Sequence, residues 1–297
     1  MSGGDFPAGQ QTRCNTKEKF MKKHGSTILL LLVFFIGLSL LLYPTIADWW
    51  NSFHQSRAVA SYVEQIAKMD DDQYDEIWSA AWDYNHSLID RPNDFLLSEE
   101  QRERYNALLD IGDNGIMGYI EVPKINIVYP IYHGTGEAVL QVAIGHLDWT
   151  SLPVGGEGSH CVVSGHRGLP SARLFTDLDQ MEVGDTFLLR VLDEVLTYEV
   201  DQIKIVLPHE TDDLLIQAGE DLCTLTTCTP YGINSHRMLI RGHRIETAEV
   251  KAVRRVTADA VQIEPLLVAP FVAAPILLIL LIVLLIPKPQ KKRRKDR

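Results

Sequence analysis

Thr224-Leu225-Thr226-Thr227-Cys228-Thr229-Pro230-Tyr231-Gly232-Ile233-Asn234-Ser235-His236-Arg237 is the stretch from which the rest of the chain is read. It begins in a segment, Asp221 to Thr227, whose Leu and β-branched Thr suit a strand. Pro-Tyr-Gly then turns the chain, and Met238-Leu239-Ile240 resumes the strand. Cys228 therefore stands where a strand gives way to a loop, and Arg237 stands where the chain returns. A hairpin here sets the guanidinium beside the sulfur. A fixed cation near a thiol lowers its pKa or stabilises an oxyanion formed on its substrate.

A base completes such a site. Upstream, Ser159-His160-Cys161-Val162-Val163-Ser164-Gly165-His166 is a second short apolar strand ending in a histidine. Laid side by side, the two strands bring His166 and Cys228 to one edge of a sheet, a Cys-His-Arg arrangement suited to acyl transfer. A cysteine taken alone is more often a small buried hydrophobe; the three residues in this pattern are more specific. His146 also follows a short apolar strand and is the rival base, but it lacks the strand-His-Arg-Gly pattern around His166 and reads as a structural or surface residue.

The 224–237 motif, with Ser164-Gly165-His166-Arg167-Gly168-Leu169-Pro170 and its continuation to Leu178, resembles the sortases, and among them the class C, pilin-polymerising branch. The resemblance covers roughly Gly115 to Arg244. It implies that Cys228 is the nucleophile, His166 the acid/base and Arg237 the cation that positions substrate or stabilises the oxyanion, with Thr227 supporting substrate and oxyanion. It further implies an LPxTG-like sorting signal cleaved after Thr and an acyl group passed from Cys228 to an amine, a pilin lysine. Class C members carry a lid on Asp-Pro-aromatic; here 89–98 holds Asp94-Phe95 without the proline, and these two are the lid candidates. Paired with Arg237 and laid over the thiol, they would close the site until substrate displaces them. No cofactor or catalytic metal is implied, and no metal-ligand spacing stands out.

Strands are predicted near 117–122, 127–132, 142–144, 161–164, 186–191, 196–206, 222–227 and 238–244. Eight short strands with turn signals between them suggest a closed β-barrel, which leaves no free edge. One helix is predicted inside it, Ser171 to Leu178. Ahead of the barrel, apolar residues at helical spacing over 55–88, interrupted by Asp70-Asp71-Asp72, predict two helices, and 99–109 a third. The predicted class is thus mostly β: an eight-stranded, closed, sortase-type barrel over 115–246, preceded by a helical segment over 44–114.

Two uncharged apolar runs flank this region, 27–43 and 266–286, each long enough to be read as a membrane span. Trp49 and Trp50 follow the first as an interfacial anchor. Lysines and arginines crowd the 1–26 tail and the 287–297 tail, so the positive-inside rule places both ends in the cytoplasm and the barrel, with its 247–265 tether, outside the cell membrane. Between Pro44 and Pro265 there are 36 acidic against 16 basic residues, which argues against nucleic acid as a partner. The expected partners are pilins or other surface proteins with C-terminal sorting signals, and the membrane. Of four cysteines, three are external; Cys161 lies five residues before His166 and Cys223 five before Cys228, so the two are expected to be neighbouring buried thiols.

Three other readings compete. A housekeeping sortase that anchors proteins to peptidoglycan shares the motifs, but the second span suits the pilin branch better. An L,D-transpeptidase-like enzyme would use Cys161, whose setting lacks the usual glycine after the histidine. A non-enzymatic adhesion or assembly module would hold the same pair structurally and ignore alkylation.

Overall fold

A computed structural model describes residues 9–89 and 96–247. Eight strands close into a barrel: β1 (Ile116–Val122), β2 (Ile127–His133), β3 (Ile144–His146), β4 (Ser159–Ser164), β5 (Thr186–Val191), β6 (Glu194–Val206), β7 (Asp221–Thr229) and β8 (His236–Ile245), in the order β1-β2-β3-β4-β7-β8-β6-β5. Two neighbouring pairs, β2–β3 and β4–β7, run parallel, and the others antiparallel. Successive side chains alternate between faces, so one set fills the barrel: Met117, Ile120, Ile131, Val163, Leu225 and Ile240 are buried there. A smaller apolar group, Val162, Leu214 and Leu239, lies outside the wall where the segment after β6 covers β4 and β8.

Four α-helices accompany the barrel: α1 (Gly9–Ile66), α2 (Asp71–Ile89), α3 (Glu99–Ala107) and the single turn α4 (Glu137–Leu140). α2 starts where expected; Asp70 accepts from the Gln73 N–H at 2.8 Å, and Asp71 and Asp72 lie in its first turn. It is fixed to the barrel by buried Asn85, which donates to the Leu152 carbonyl at 3.1 Å and accepts from the Leu152 N–H at 2.7 Å. α3 begins with a capping box between Ser98 and Gln101.

Three expectations change. α1 does not stop at Pro44 but carries it inside one helix of 58 residues, so the first apolar run and the start of the helical segment are continuous. Among the described residues this is the one helix long and apolar enough to cross a membrane, and its most apolar window is not buried. The helix predicted over 171–178 is absent. Leu174 takes a left-handed backbone (φ 40°), and the chain forms turns held by its N–H groups: that of Phe175 donates to the His166 carbonyl and that of Leu174 to the Tyr129 hydroxyl. The strand expected at 142–144 starts two residues later, because Val142 and Ala143 close the turn after α4. The tether beyond 247, the second apolar run and the basic tail that follows it lie outside the described residues, as do the lid candidates Asp94 and Phe95.

Candidate active site

Cys228 is the penultimate residue of β7 and Arg237 the second of β8, and the two are directly opposed across the antiparallel ladder. Opposed residues on antiparallel strands share a face with Cβ atoms about 5 Å apart. The connecting turn makes this possible: Pro230 accepts from the N–H groups of Ile233 and Asn234, and Gly232 takes a positive φ of 76°. Arg237 is half-buried, and its guanidinium donates to the backbone carbonyls of His236 (3.2 Å) and Asn234 (3.5 Å). No carboxylate pairs with it among the described residues. Arg241, two pleat repeats further on the same strand face, is instead held by Asp201 through two bonds of 3.0 and 2.8 Å.

On the other side of β7, β4 runs parallel with Ser164 opposite Thr226. Gly165 continues the pairing by donating to the Thr226 carbonyl at 3.1 Å. The same register carried two residues further sets His166 level with Cys228. Gly165 has no room for a side chain: an added Cβ would meet Ile144 and Phe175 at 2.6 and 2.7 Å. His166 is half-buried, and its Nε2 is buried without a hydrogen-bond partner among the described residues. An imidazole nitrogen in that state is one a substrate or a nucleophile can still engage. Cys228 and Arg237 thus stand on adjacent strands β7 and β8, and His166 stands two residues beyond the end of neighbouring β4, at one rim.

Pleat parity decides which side chains share a face. Cys223 and Leu225 point into the core, so Thr224, Thr226 and Cys228 take the outer face. Thr227 therefore points inward, away from the thiol. Expected to support substrate and oxyanion, it is 1% exposed and donates its hydroxyl to the Gly165 carbonyl at 2.7 Å. It ties the histidine segment to the cysteine strand instead. Arg167 adds a second tie, with no signal in the residue pattern: it donates to the Thr229 hydroxyl at 3.4 Å and pairs with Asp179, so the residues following His166 and Cys228 are joined.

The other cysteines and histidines are placed differently. Cys161 and Cys223 are opposed in the parallel ladder, both fully buried and both free thiols. Burial pushes the Cys223 thiol well up, and Cys161 beside it adds to this. His146 is buried, donates from Nε2 to the Ser151 carbonyl at 2.8 Å and is bonded through Nδ1 to the Tyr105 hydroxyl at 2.9 Å. It is a core residue, not a base. His160 lies on the outer face but under cover; Nδ1 donates to the Leu215 carbonyl and Nε2 accepts from Thr224, and desolvation holds its pKa down at about 4. No cluster of three metal-ligating side chains occurs among the described residues.

With this geometry in hand, comparison with known proteins is specific. The family model of the sortase domain matches residues 120–245. The crystal structure of sortase C1 from Streptococcus agalactiae is 48% identical, with a TM-score of 0.63, and the match covers 64% of this chain and 99% of that one. A sortase C from Streptococcus pneumoniae, whose structure is described as informing catalysis and pilin substrate specificity, is 42% identical with a TM-score of 0.57, covering 64% and 97%. Sortase D of Bacillus subtilis (strain 168) is 33% identical over 131 residues, which is 43% of this chain and 63% of that protein, so the chain spans less than two thirds of that relative.

Proposed function

This chain belongs to the sortase family, in its class C branch, and from there we propose that it is a membrane-anchored cysteine transpeptidase that joins pilin subunits outside the cell. The observation that carries the reading is that Cys228 and Arg237 are opposed on β7 and β8, with His166 two residues past the end of β4, the strand on the other side of β7. The Cys228 thiolate attacks the carbonyl carbon of the threonine in an LPxTG-like signal. Arg237 stabilises the oxyanion of the tetrahedral intermediate. Collapse breaks the Thr–Gly C–N bond, His166 gives its proton to the departing amine, and a thioester remains on Cys228. A lysine amine of another pilin then attacks that thioester, its proton passes to His166, and the thiolate is released as the new amide forms. Asp94 and Phe95 are proposed as the lid over this rim.

The test is incubation of the full-length enzyme with a sorting-signal peptide, followed by mass spectrometry. A thioester on Cys228 that disappears on adding a lysine-bearing pilin segment supports the reading. Turnover with no adduct on Cys228 overturns it. A housekeeping role is separated by offering a peptidoglycan-type amine and a pilin lysine in competition.

A further inference from the structure

Nucleophile–base sites usually add a third side chain that orients the base. Among the described residues none bonds to the His166 ring; its Nε2 is buried and unpartnered, and its backbone carbonyl accepts from the Phe175 N–H at 3.1 Å. The place of the imidazole is therefore set by its backbone. Whatever fixes the chain at 166 fixes the base.

The ladder of β4 with β7 ends at Ser164 and Thr226, yet side chains carry the pairing on. One level before the catalytic pair, the Thr227 hydroxyl donates to the Gly165 carbonyl at 2.7 Å. One level after it, Arg167 donates from one terminal nitrogen to the Thr229 hydroxyl at 3.4 Å and from the other to Asp179. His166 and Cys228 are thus bracketed by two cross-strand ties. Gly168 follows against the Tyr231 ring, which an added Cβ would meet at 2.7 Å. The far part of the loop is held by other groups: Asn51 of α1 donates to the Ser171 carbonyl at 2.8 Å, and Asp48 accepts from the Arg173 N–H at 2.9 Å. Arg167 is the tie next to the base.

Stability alone is a poor reason for this arginine. Its side chain is 10% exposed while its carboxylate partner is 43% exposed, and its Nε is buried without a partner among the described residues. A buried guanidinium with an unused N–H is destabilising in itself. What the fork supplies is a hold on two anchors at once. By pleat parity Arg167 and Thr229 lie on the face opposite His166 and Cys228, behind the site and away from substrate.

We propose that Arg167 is a positioning residue that holds the His166 backbone from behind, so that the imidazolium meets the leaving nitrogen of the sorting signal. This rests on the transpeptidase reading above, and the experiment keeps the two apart. The step that depends on it is acylation, in which the Thr–Gly C–N bond breaks and the His166 proton passes to the departing amine. A thioester analogue, with sulfur in place of that nitrogen, releases a thiolate that needs no proton.

Full-length variants are given each substrate in a single turnover, and mass spectrometry follows adduct formation on Cys228. Arg167→Met is expected to slow acylation by the amide about 10²-fold, the loss that about 1 Å of misplacement brings, and by the thioester less than about threefold. The half-saturating peptide concentration and the alkylation rate of Cys228 should match the parent. Thr229→Val keeps the shape and removes only the accepting oxygen; it should show the same selective loss, about tenfold, whether or not Arg167→Met folds. The two substitutions together should cost no more than Arg167→Met alone, because both remove one tie. Equal losses on amide and thioester, or no loss on the amide, overturn the positioning role. A parent enzyme that turns over the peptide with no adduct on Cys228 overturns the function instead.

Discussion

Two cysteine neighbourhoods lie along the same pair of strands, each with a histidine beside it, and they have opposite fates. At the rim, Cys228 and His166 are half-buried, Arg237 opposes the thiol, and a ring nitrogen of His166 is unpartnered. Five residues back along each strand, Cys161 and Cys223 are opposed inside the barrel with His146, and both nitrogens of His146 are engaged. Five is an odd number. On a pleated strand it moves a side chain to the other face, so one parity step separates a thiol that can meet substrate from thiols that serve as core. Residue type supplies the chemistry; face, cover and unused bonding capacity decide whether it is available.

The sharpest break in that contrast is made at the sulfurs. Cys228→Ala is expected to abolish thioester formation and lower peptide turnover by at least about 10³-fold, because the covalent route is gone. Cys161→Ala keeps turnover and loses stability only. An alkylating agent applied to the folded protein should modify Cys228 and leave Cys161 and Cys223 intact until it is denatured, as peptide mapping would reveal. Modification of Cys161 at the rate of Cys228 would dissolve the distinction.

Arginines on β8 repeat the comparison four residues apart. Arg241 is bonded twice to Asp201, whereas among the described residues Arg237 meets only backbone carbonyls. Arg237→Ala should lower kcat/KM by about 10²–10³-fold, the usual loss for one oxyanion donor, with thermal stability nearly unchanged. Arg241→Ala should do the reverse. Comparable kcat/KM losses in the two variants would mean that pairing does not mark the catalytic cation.

His160 shows that facing outward is not sufficient. It shares the outer face with Cys228 but is covered by the segment carrying Leu214 and Leu215, and desolvation holds its pKa at about 4. Between about 6.5 and 4 the unfolded chain binds a proton that the folded one refuses, so stability falls as pH drops through this window, by about 3 kcal/mol when complete. His160→Gln should flatten the urea-midpoint profile over that range. A slope unchanged by the substitution would assign it to other groups, His133 first, whose pKa burial also lowers.

Much of this was legible in the residues. β-branched runs and turn signals located all eight strands, and the two motifs located the rim. The five-residue spacing of the cysteines was visible too, but its meaning required knowing which face was core, and Thr227 was given a substrate role for want of that one fact. Where local signals misled, tertiary bonds had won: Pro44 reads as a breaker yet lies inside α1, and 171–178 reads as a helix yet is drawn into turns by bonds to His166, Tyr129 and the α1 side chains. The network around His146 was illegible, because Tyr105 lies 41 residues away in sequence.

That network offers the smallest and cleanest contrast. The Tyr105 hydroxyl is bonded to buried His146 Nδ1 at 2.9 Å and accepts from the part-buried Gly134 N–H at 3.0 Å. Tyr105→Phe removes one oxygen and strands the buried His146 nitrogen, which costs about 1–3 kcal/mol when left without a partner, less whatever a water can restore. Chemical denaturation should register a loss in that range. The rim uses neither His146 nor Tyr105, so soluble-peptide turnover below the melting range should match the parent. A large fall in kcat with little loss of stability would instead make His146 part of the reaction and erase the line between core and rim.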